Sequence, residues 1–239
     1  PASETDEEAL NAFVKIGSDD TVTVVIKHAE FGQGVTTGLT TIVAEELDAR
    51  WDQMKWEFAP ADASRYANLK FGTVQGTGGS SSIANSWHQL REAGAGAKAM
   101  LVAAAAEAWQ VKPEEITAAD GKLSHKNGKS GTYGEFAAVA AKLTPPEKVT
   151  LKDPKDFKLI GKTVSRLDAK GKSTGQATFT IDVEKPGMVM ACVAHSPKFG
   201  GKVKSVDSAD AAAMQGVIEI VQIPSGVAVV ADSFWTAQN

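Results

Sequence analysis

The stretch Glu30-Phe31-Gly32-Gln33-Gly34-Val35-Thr36-Thr37-Gly38 places two closely spaced glycines between an alternating apolar run and an amphipathic helical pattern. A strand–glycine loop–helix joint gathers several backbone N–H groups at one helix N-terminus, which suits a phosphate or another anion. A second joint, Gly76-Thr77-Gly78-Gly79-Ser80-Ser81-Ser82, opens the longest helical pattern in the chain. Two anion-type loops within one segment point to a large phosphorylated cofactor.

Other chemistry is weaker. The strings Gly128-Lys129-Ser130, Gly161-Lys162-Thr163 and Gly171-Lys172-Ser173 end like a Walker motif, but the glycine required five residues earlier is replaced by Leu123, Asp156 and Arg166. Gly32, Gly34 and Gly38 miss the dinucleotide fingerprint by one position. His28, His88, His125 and His195 are scattered, and no metal-ligand spacing links them. Ser80, Ser81 and Ser82 lack a nucleophile elbow and a partner base, so they read as cap residues or phosphate ligands. Glu45 and Glu46 read as solvent-facing helical carboxylates, and Phe199-Gly200-Gly201-Lys202 as a turn between strands. Cys192, the one cysteine, lies in an alternating run and reads as a buried structural thiol.

The elements that must position these residues are legible from periodicity. Residues 12–16 and 21–27 form a predicted hairpin around Gly17-Ser18-Asp19-Asp20, and Thr37 to Arg50 has helical spacing of Leu39, Ile42, Val43 and Leu47. Residues 53–58 alternate as a half-buried strand. Ser82 to Trp109 reads as a long helix, alanine-rich from Ala93, in which Gly94 and Gly96 mark close approach of another segment. Lys122 to Thr132 predicts a hairpin turning at Asn127-Gly128, followed by a short helix with the capping-box pair Thr132 and Glu135. The fold class is α+β: an acidic mobile tail over 1–11 (Glu4, Asp6, Glu7, Glu8), a unit over 12–145, a proline- and lysine-rich linker over 146–162, and a second unit over 163–239. That second unit carries strand-like runs at 177–183, 188–194, 217–222 and 227–231 around a helical pattern from Ser208 to Met214.

With 43% hydrophobic and 23% charged residues and a net charge of −4, the composition is that of a globular protein and disfavours nucleic-acid binding. A single cysteine excludes an internal disulfide or an iron–sulfur centre held within the chain. No apolar run approaches the roughly 20 residues of a membrane span. Pro1 in first position is consistent with a processed or trimmed N-terminus.

The glycine loops also carry a resemblance. Glu30-Phe31-Gly32-Gln33-Gly34, Thr37-Gly38-Leu39 and Ala44-Glu45-Glu46-Leu47 resemble the GQG segment of the molybdenum hydroxylases, the family of xanthine dehydrogenase and aldehyde oxidoreductase. Gly76–Ser82, Leu90-Arg91-Glu92-Ala93-Gly94-Ala95, Asp153-Pro154-Lys155-Asp156-Phe157-Lys158-Leu159-Ile160-Gly161 and Ala228–Trp235 extend the likeness to the large (beta) subunit of the isoquinoline 1-oxidoreductase type of aldehyde dehydrogenase. The resemblance covers the chain from Asn11 onward.

It implies a molybdopterin-binding α+β domain followed by an α/β hammerhead domain. Gly32, Gln33, Gly34 and Thr36 would line the pterin, with Gln33 as the side-chain partner. Gly78, Gly79, Ser80, Ser81 and Ser82 would cradle the phosphates of molybdopterin cytosine dinucleotide, and loss of the Gln33 amide would weaken cofactor retention more than loss of the Ser81 hydroxyl. The family's catalytic glutamate has no match here, so no catalytic or metal-ligating residue is assigned. The chain is expected to be the N-terminal fragment of a large subunit, inactive alone, that serves oxidation of an aldehyde or N-heterocycle with water-derived oxygen. Expected partners are the remainder of that subunit, an iron–sulfur small subunit carrying [2Fe-2S], a cytochrome c subunit as a further one, and a small aldehyde or heteroaromatic substrate. The periplasm is the expected location, with the cytoplasm as the alternative. The competing readings are a non-catalytic cofactor-binding or structural module of the same ancestry, and an unrelated nucleotide-binding domain.

Overall fold

A computed structural model describes residues 6–239, which divide into one unit running to Gln176 and another from Ala177 to Asn239. In the first unit, strands β1 (Glu7–Ala9), β2 (Val14–Gly17), β3 (Val22–Ile26) and β4 (Met54–Phe58) form a sheet in the order β1-β2-β3-β4. The predicted hairpin is present as the antiparallel pair β2–β3. The acidic stretch expected to be a tail is instead partly strand: β1 pairs with β2, and the Thr23 hydroxyl donates to Glu7 Oε1 at 2.6 Å. Glu4 lies outside the described residues.

Helix α1 (Val35–Leu47) links β3 to β4, and those strands run parallel. A parallel pair needs such a crossover, and it puts the first glycine loop at the carboxyl end of β3. All five residues of β3 are buried, as in a strand covered on both faces.

After α2 (Ala63–Tyr66) comes the 28-residue helix α3 (Ser82–Trp109), with the predicted limits. It packs on α1 at Gly94, where an added Cβ would sit 2.9 Å from the Val43 carbonyl oxygen. The close approach read from the sequence is therefore made by α1 itself. At Gly96 the nearest atom would be Val149 Cγ1 at 4.0 Å, so that glycine has no comparable constraint.

A small sheet of β5 (Ile116–Ala119), β6 (Lys122–His125) and β7 (Ser130–Thr132) precedes α4 (Tyr133–Ala140). Gly128 takes the turn with φ 90°. Thr132 does occupy the N-cap of α4, but its side chain makes no cap hydrogen bond, so the capping box is not formed.

The expected linker is not a free tether. Residues 152–160 lie against α1, where the carboxylate of Glu45 accepts from Lys152 Nζ (2.8 Å) and from the backbone N–H groups of Lys158 (2.9 Å), Leu159 (2.7 Å) and Ile160 (3.0 Å). Glu46 accepts from Lys152 N (2.9 Å) and Arg91 Nε (2.6 Å). Glu45 and Glu46 are 1% and 0% exposed, which corrects the expectation of solvent-facing carboxylates. Arg91 in turn lies over the Trp87 and Phe157 rings. Three separated parts of the resemblance, around Glu45, Arg91 and Asp153–Gly161, thus meet at one structural lock.

Residues 163–168 also belong to the first unit: Trp51 Nε1 donates to Ser165 O at 3.0 Å and Leu167 N to Thr37 Oγ1 at 3.2 Å. The boundary set by packing is therefore later than the proline-based one, and it follows α5 (Ala169–Ser173).

In the second unit, β8 (Met190–His195), α6 (Ala209–Ala212), β9 (Val217–Ile223), β10 (Gly226–Ala231) and α7 (Phe234–Gln238) give an antiparallel sheet in the order β8-β10-β9. Residues 177–183, expected to be a strand, hold a single 3-10 turn instead. Cys192 is half-buried rather than buried, and its thiol donates to Gln238 Oε1. Phe199–Lys202 is a turn-rich loop following β8.

Candidate functional site

The two glycine loops are brought side by side. Ala29 N donates to Thr77 Oγ1 at 2.8 Å, and His28 Nδ1 lies 3.2 Å from the Gly76 carbonyl. His28 is 1% exposed; burial, and then the neighbouring Lys27 charge, push its pKa below the usual histidine value. The ring is therefore neutral at pH 7. Its Nδ1–H donates to Gly76, and Nε2 accepts from Asn85 Nδ2 at 3.1 Å.

The first loop does not offer an open anion hole. The Glu30 carboxylate accepts from Gly32 N (2.8 Å), Gly34 N (3.0 Å), Thr36 N (3.1 Å) and Thr36 Oγ1 (3.1 Å). Burial raises its pKa, but the N–H groups of Gly34, Thr36 and Gly32 outweigh that and hold it below the usual range. The donors that sequence reasoning offered to a phosphate are occupied by the chain's own anion. Gln33 also closes on the loop, with Nε2 donating to Ala29 O and Oε1 accepting from Phe31 N, both at 2.8 Å. What this loop presents outward is the Phe31 ring, 73% exposed, and the exposed Gln33 amide.

Arg166 braces the loop from the segment before α5. Its Nη1 donates to Gly32 O at 3.1 Å, it pairs with Asp168 at 2.8 Å, and Nη2 lies 3.6 Å from Glu30. Gly34, at φ 83°, has the guanidinium 3.8 Å from where a Cβ would stand. Its left-handed conformation favours glycine.

The second loop is different. Ser81 is 1% exposed, and its hydroxyl is held internally: it donates to Gly78 O (2.7 Å) and accepts from Asn68 Nδ2 (2.8 Å). It therefore does not cap α3, and the N–H groups of Gly79, Ser80, Ser82, Ile83 and Ala84 find no acceptor among the described residues. Among the described residues nothing lies within 4 Å of a Cβ built on Gly79. Uncapped N–H groups at the positive end of a 28-residue helix are a donor set that fits a phosphate. The buried Asn85 Oδ1 and Ser86 Oγ next to this turn are also without partners among the described residues.

The chain matches the molybdopterin cofactor-binding domain profile over residues 2–211. The chain belongs to that family. Among relatives of this cofactor-binding domain, the beta subunit of isoquinoline 1-oxidoreductase from Brevundimonas diminuta is 33% identical over 92% of this chain and 32% of its own length. A nicotinate dehydrogenase subunit of Pseudomonas putida is 31% identical over 95% and 19%. The membrane-bound aldehyde dehydrogenase [pyrroloquinoline-quinone] of Gluconacetobacter polyoxogenes is 31% identical over 87% and 27%. The chain thus spans between about a fifth and a third of the length of these relatives. A solved structure of quinoline 2-oxidoreductase from Pseudomonas putida 86 matches 56% of this chain and 17% of that one, at 23% identity and a TM-score of 0.33.

Sequence reasoning found both loops but missed His28 and Asn85, which tie them together, Asn68, which holds the second loop, and Arg166, which braces the first. Asn68 and Arg166 carried no local signal. His28 did, since it lies directly between a strand and the first loop. Among the described residues no group of three or more His, Cys, Asp or Glu is placed to hold a metal.

The domain's own contacts make Ser81→Ala a structural lesion. Removing a buried hydroxyl with two partners costs about 1–3 kcal/mol. A drop of that size in unfolding free energy, measured by denaturant titration, is expected for Ser81→Ala, while Gln33→Ala, at an exposed position, stays within about 0.5 kcal/mol of the parent.

Proposed function

We propose that the two loops hold opposite parts of a molybdopterin cofactor in an oxidoreductase subunit acting on an aldehyde or N-heterocycle. The observation that carries the reading is the difference between the loops: one is filled by Glu30, while the other ends in uncapped N–H groups. A carboxylate at the first loop repels phosphate, so Phe31 and the Gln33 amide suit a flat ring with hydrogen-bonding edges. The turn over Gly78–Ser82 suits the phosphates, in the dinucleotide form molybdopterin cytosine dinucleotide. Gly32, Gly34 and Thr36 act indirectly, by fixing Glu30 and with it the loop's shape.

When bound, the cofactor supplies the redox chemistry. The chain's own residues orient it: His28, Asn85 and the Ala29–Thr77 bond keep the two halves of the cradle in register, and Asn68 holds the shape of the second. The relatives' names support the substrate classes, and their greater length supports a larger subunit in which this domain works with further polypeptide. A [2Fe-2S] partner subunit, a cytochrome c subunit, a hammerhead fold for the second unit and a periplasmic location complete the proposal.

The test is elemental and nucleotide analysis of the protein purified from a host that makes the cofactor, with intact-mass analysis of whatever co-purifies. Molybdenum with an equimolar cytidine nucleotide is expected. Protein free of both, or carrying a quinone as one relative's name describes, would overturn the reading.

A further inference from the structure

In the second unit a strand-like sequence that is not a strand precedes a sheet edge without a partner. Ala177-Thr178-Phe179-Thr180-Ile181-Asp182-Val183 alternates with period two, with large apolar residues at 179, 181 and 183. A 3-10 turn over Thr180–Asp182 interrupts it, and Phe179, Ile181 and Val183 are all exposed, Ile181 to 86%. The turn rests on local bonds: Asp182 N donates to Phe179 O (2.9 Å), and Phe179 N donates to the Asp182 carboxylate (2.9 Å).

β8 is the terminal strand of the order β8-β10-β9, so one of its edges is unpaired among the described residues. Open edges are normally guarded by charge, proline or a bulge. Met190-Ala191-Cys192-Val193-Ala194-His195 carries no lysine, arginine, carboxylate or proline. β9, at the opposite edge, has Glu219 and a register shift against β10.

The connection between the segment and β8 is already shaped for a hairpin. Met188 N donates to Lys185 O at 3.0 Å, with Pro186 second and Gly187 third at φ 79°, the pattern of a type II turn. Counting outward from Lys185 and Met188 sets Val183 opposite Met190, Ile181 opposite Cys192 and Phe179 opposite Ala194. Directly opposed residues share a face of the sheet. The Cys192 face is the one that α7 covers, since the thiol reaches Gln238 and α7 packs on β8 and β10. This register therefore carries all three exposed apolar side chains to the side where α7 leaves Phe234 and Trp235 exposed. A one-residue slip would send them to the other face.

We propose that the free edge of β8 is a strand-acceptor site and that residues 177–183 are its occupant, adding as a fourth, antiparallel strand. The segment thus has two conformations: the turn, with its apolar side chains in water, and the strand, with them in the layer beside α7. Loop closure favours this occupant over a second copy, because Pro186 and Gly187 alone separate the first pair of the hairpin. Any other strand that adds at β8 must first displace it.

The experiment is oxidative cross-linking of the full chain to Cys192, its only cysteine. Ile181→Cys faces Cys192 in the strand register, whereas Thr180→Cys lies on the opposite face. Both positions are exposed in the turn, so both variants should fold as the parent does. Under mild oxidation Ile181→Cys is expected to form the intramolecular disulfide at least ~10-fold faster than Thr180→Cys, because thiols on opposite faces of a strand miss the Cβ spacing a disulfide requires. Peptide mapping without reduction identifies the bridge, and its rate should not change on dilution. Equal rates in the two variants would show a segment without register. Disulfide-linked dimers whose yield rises with concentration would make a second copy the occupant, and no cross-link from either variant would leave β8 without this strand. Each of these three results overturns the proposal.

Discussion

Glu45→Ala is expected to lower the unfolding free energy by about 3–5 kcal/mol, the cost of removing one partner of a buried ion pair. The carboxylate is the single acceptor for three consecutive backbone N–H groups and for the Lys152 ammonium. Without it, Lys152 keeps Asp48 at 2.8 Å, but the backbone of Lys158–Ile160 has no substitute. Released residues 152–160 should become cleavable by trypsin at Lys155 and Lys158 while the rest of the unit stays resistant. Denaturant titration and a protease time course together check both parts. Glu45→Gln, which keeps an acceptor but not the charge, should lose less.

The same lock predicts acid sensitivity. Burial raises the Glu45 pKa, but Lys152 and the N–H groups of Ile160, Leu159 and Lys158 outweigh it, so the folded value lies below the unfolded one. Its contribution is complete above the ordinary glutamate value near 4.5 and is lost as pH falls through the folded value. Glu45→Gln should therefore flatten the loss of stability on acidification below about pH 4.5.

This lock also shows where the sequence could not be read. Helical periodicity locates α1 but cannot tell that two of its carboxylates face a strap more than a hundred residues away. The strap looked like a linker because proline and lysine are common in linkers, and its charges balance only in three dimensions. α3 was legible to the residue because alanine-rich composition and a serine-glycine start act locally. Thr132 and Glu135 had the right spacing but no cap bond formed. β1 was hidden because an acidic edge strand has the composition of a tail. At the site, glycine spacing revealed both loops, whereas Glu30 filling one of them depends on a side chain folding back on backbone two to six residues further on, which spacing does not encode.

Gly94→Val is the second large effect. A Cβ at residue 94 would meet the Val43 carbonyl oxygen at 2.9 Å and Glu46 Cβ at 3.0 Å, and backbone of a packed helix cannot step aside cheaply. Helix propensity favours replacing glycine by up to ~1 kcal/mol, but overpacking costs typically 1–3 kcal/mol and a branched side chain more. The sum is a loss of about 2–3 kcal/mol, and it also disturbs Glu46 and hence Arg91. Gly96→Ala supplies the opposite sign: with its nearest neighbour at 4.0 Å, it should gain up to ~1 kcal/mol. Thermal unfolding of the pair checks the assignment, and equal destabilisation in both would refute it.

Hydrogen–deuterium exchange of the protein with and without molybdopterin cytosine dinucleotide tests the cofactor cradle most directly. The Gly79, Ser80, Ser82, Ile83 and Ala84 amides lack acceptors among the described residues, whereas those of Gly32, Gly34 and Thr36 are already bonded to Glu30. The account predicts strong new protection at residues 79–84 and a smaller change over 29–36. Protection confined to the first loop, or absent from both, would contradict it.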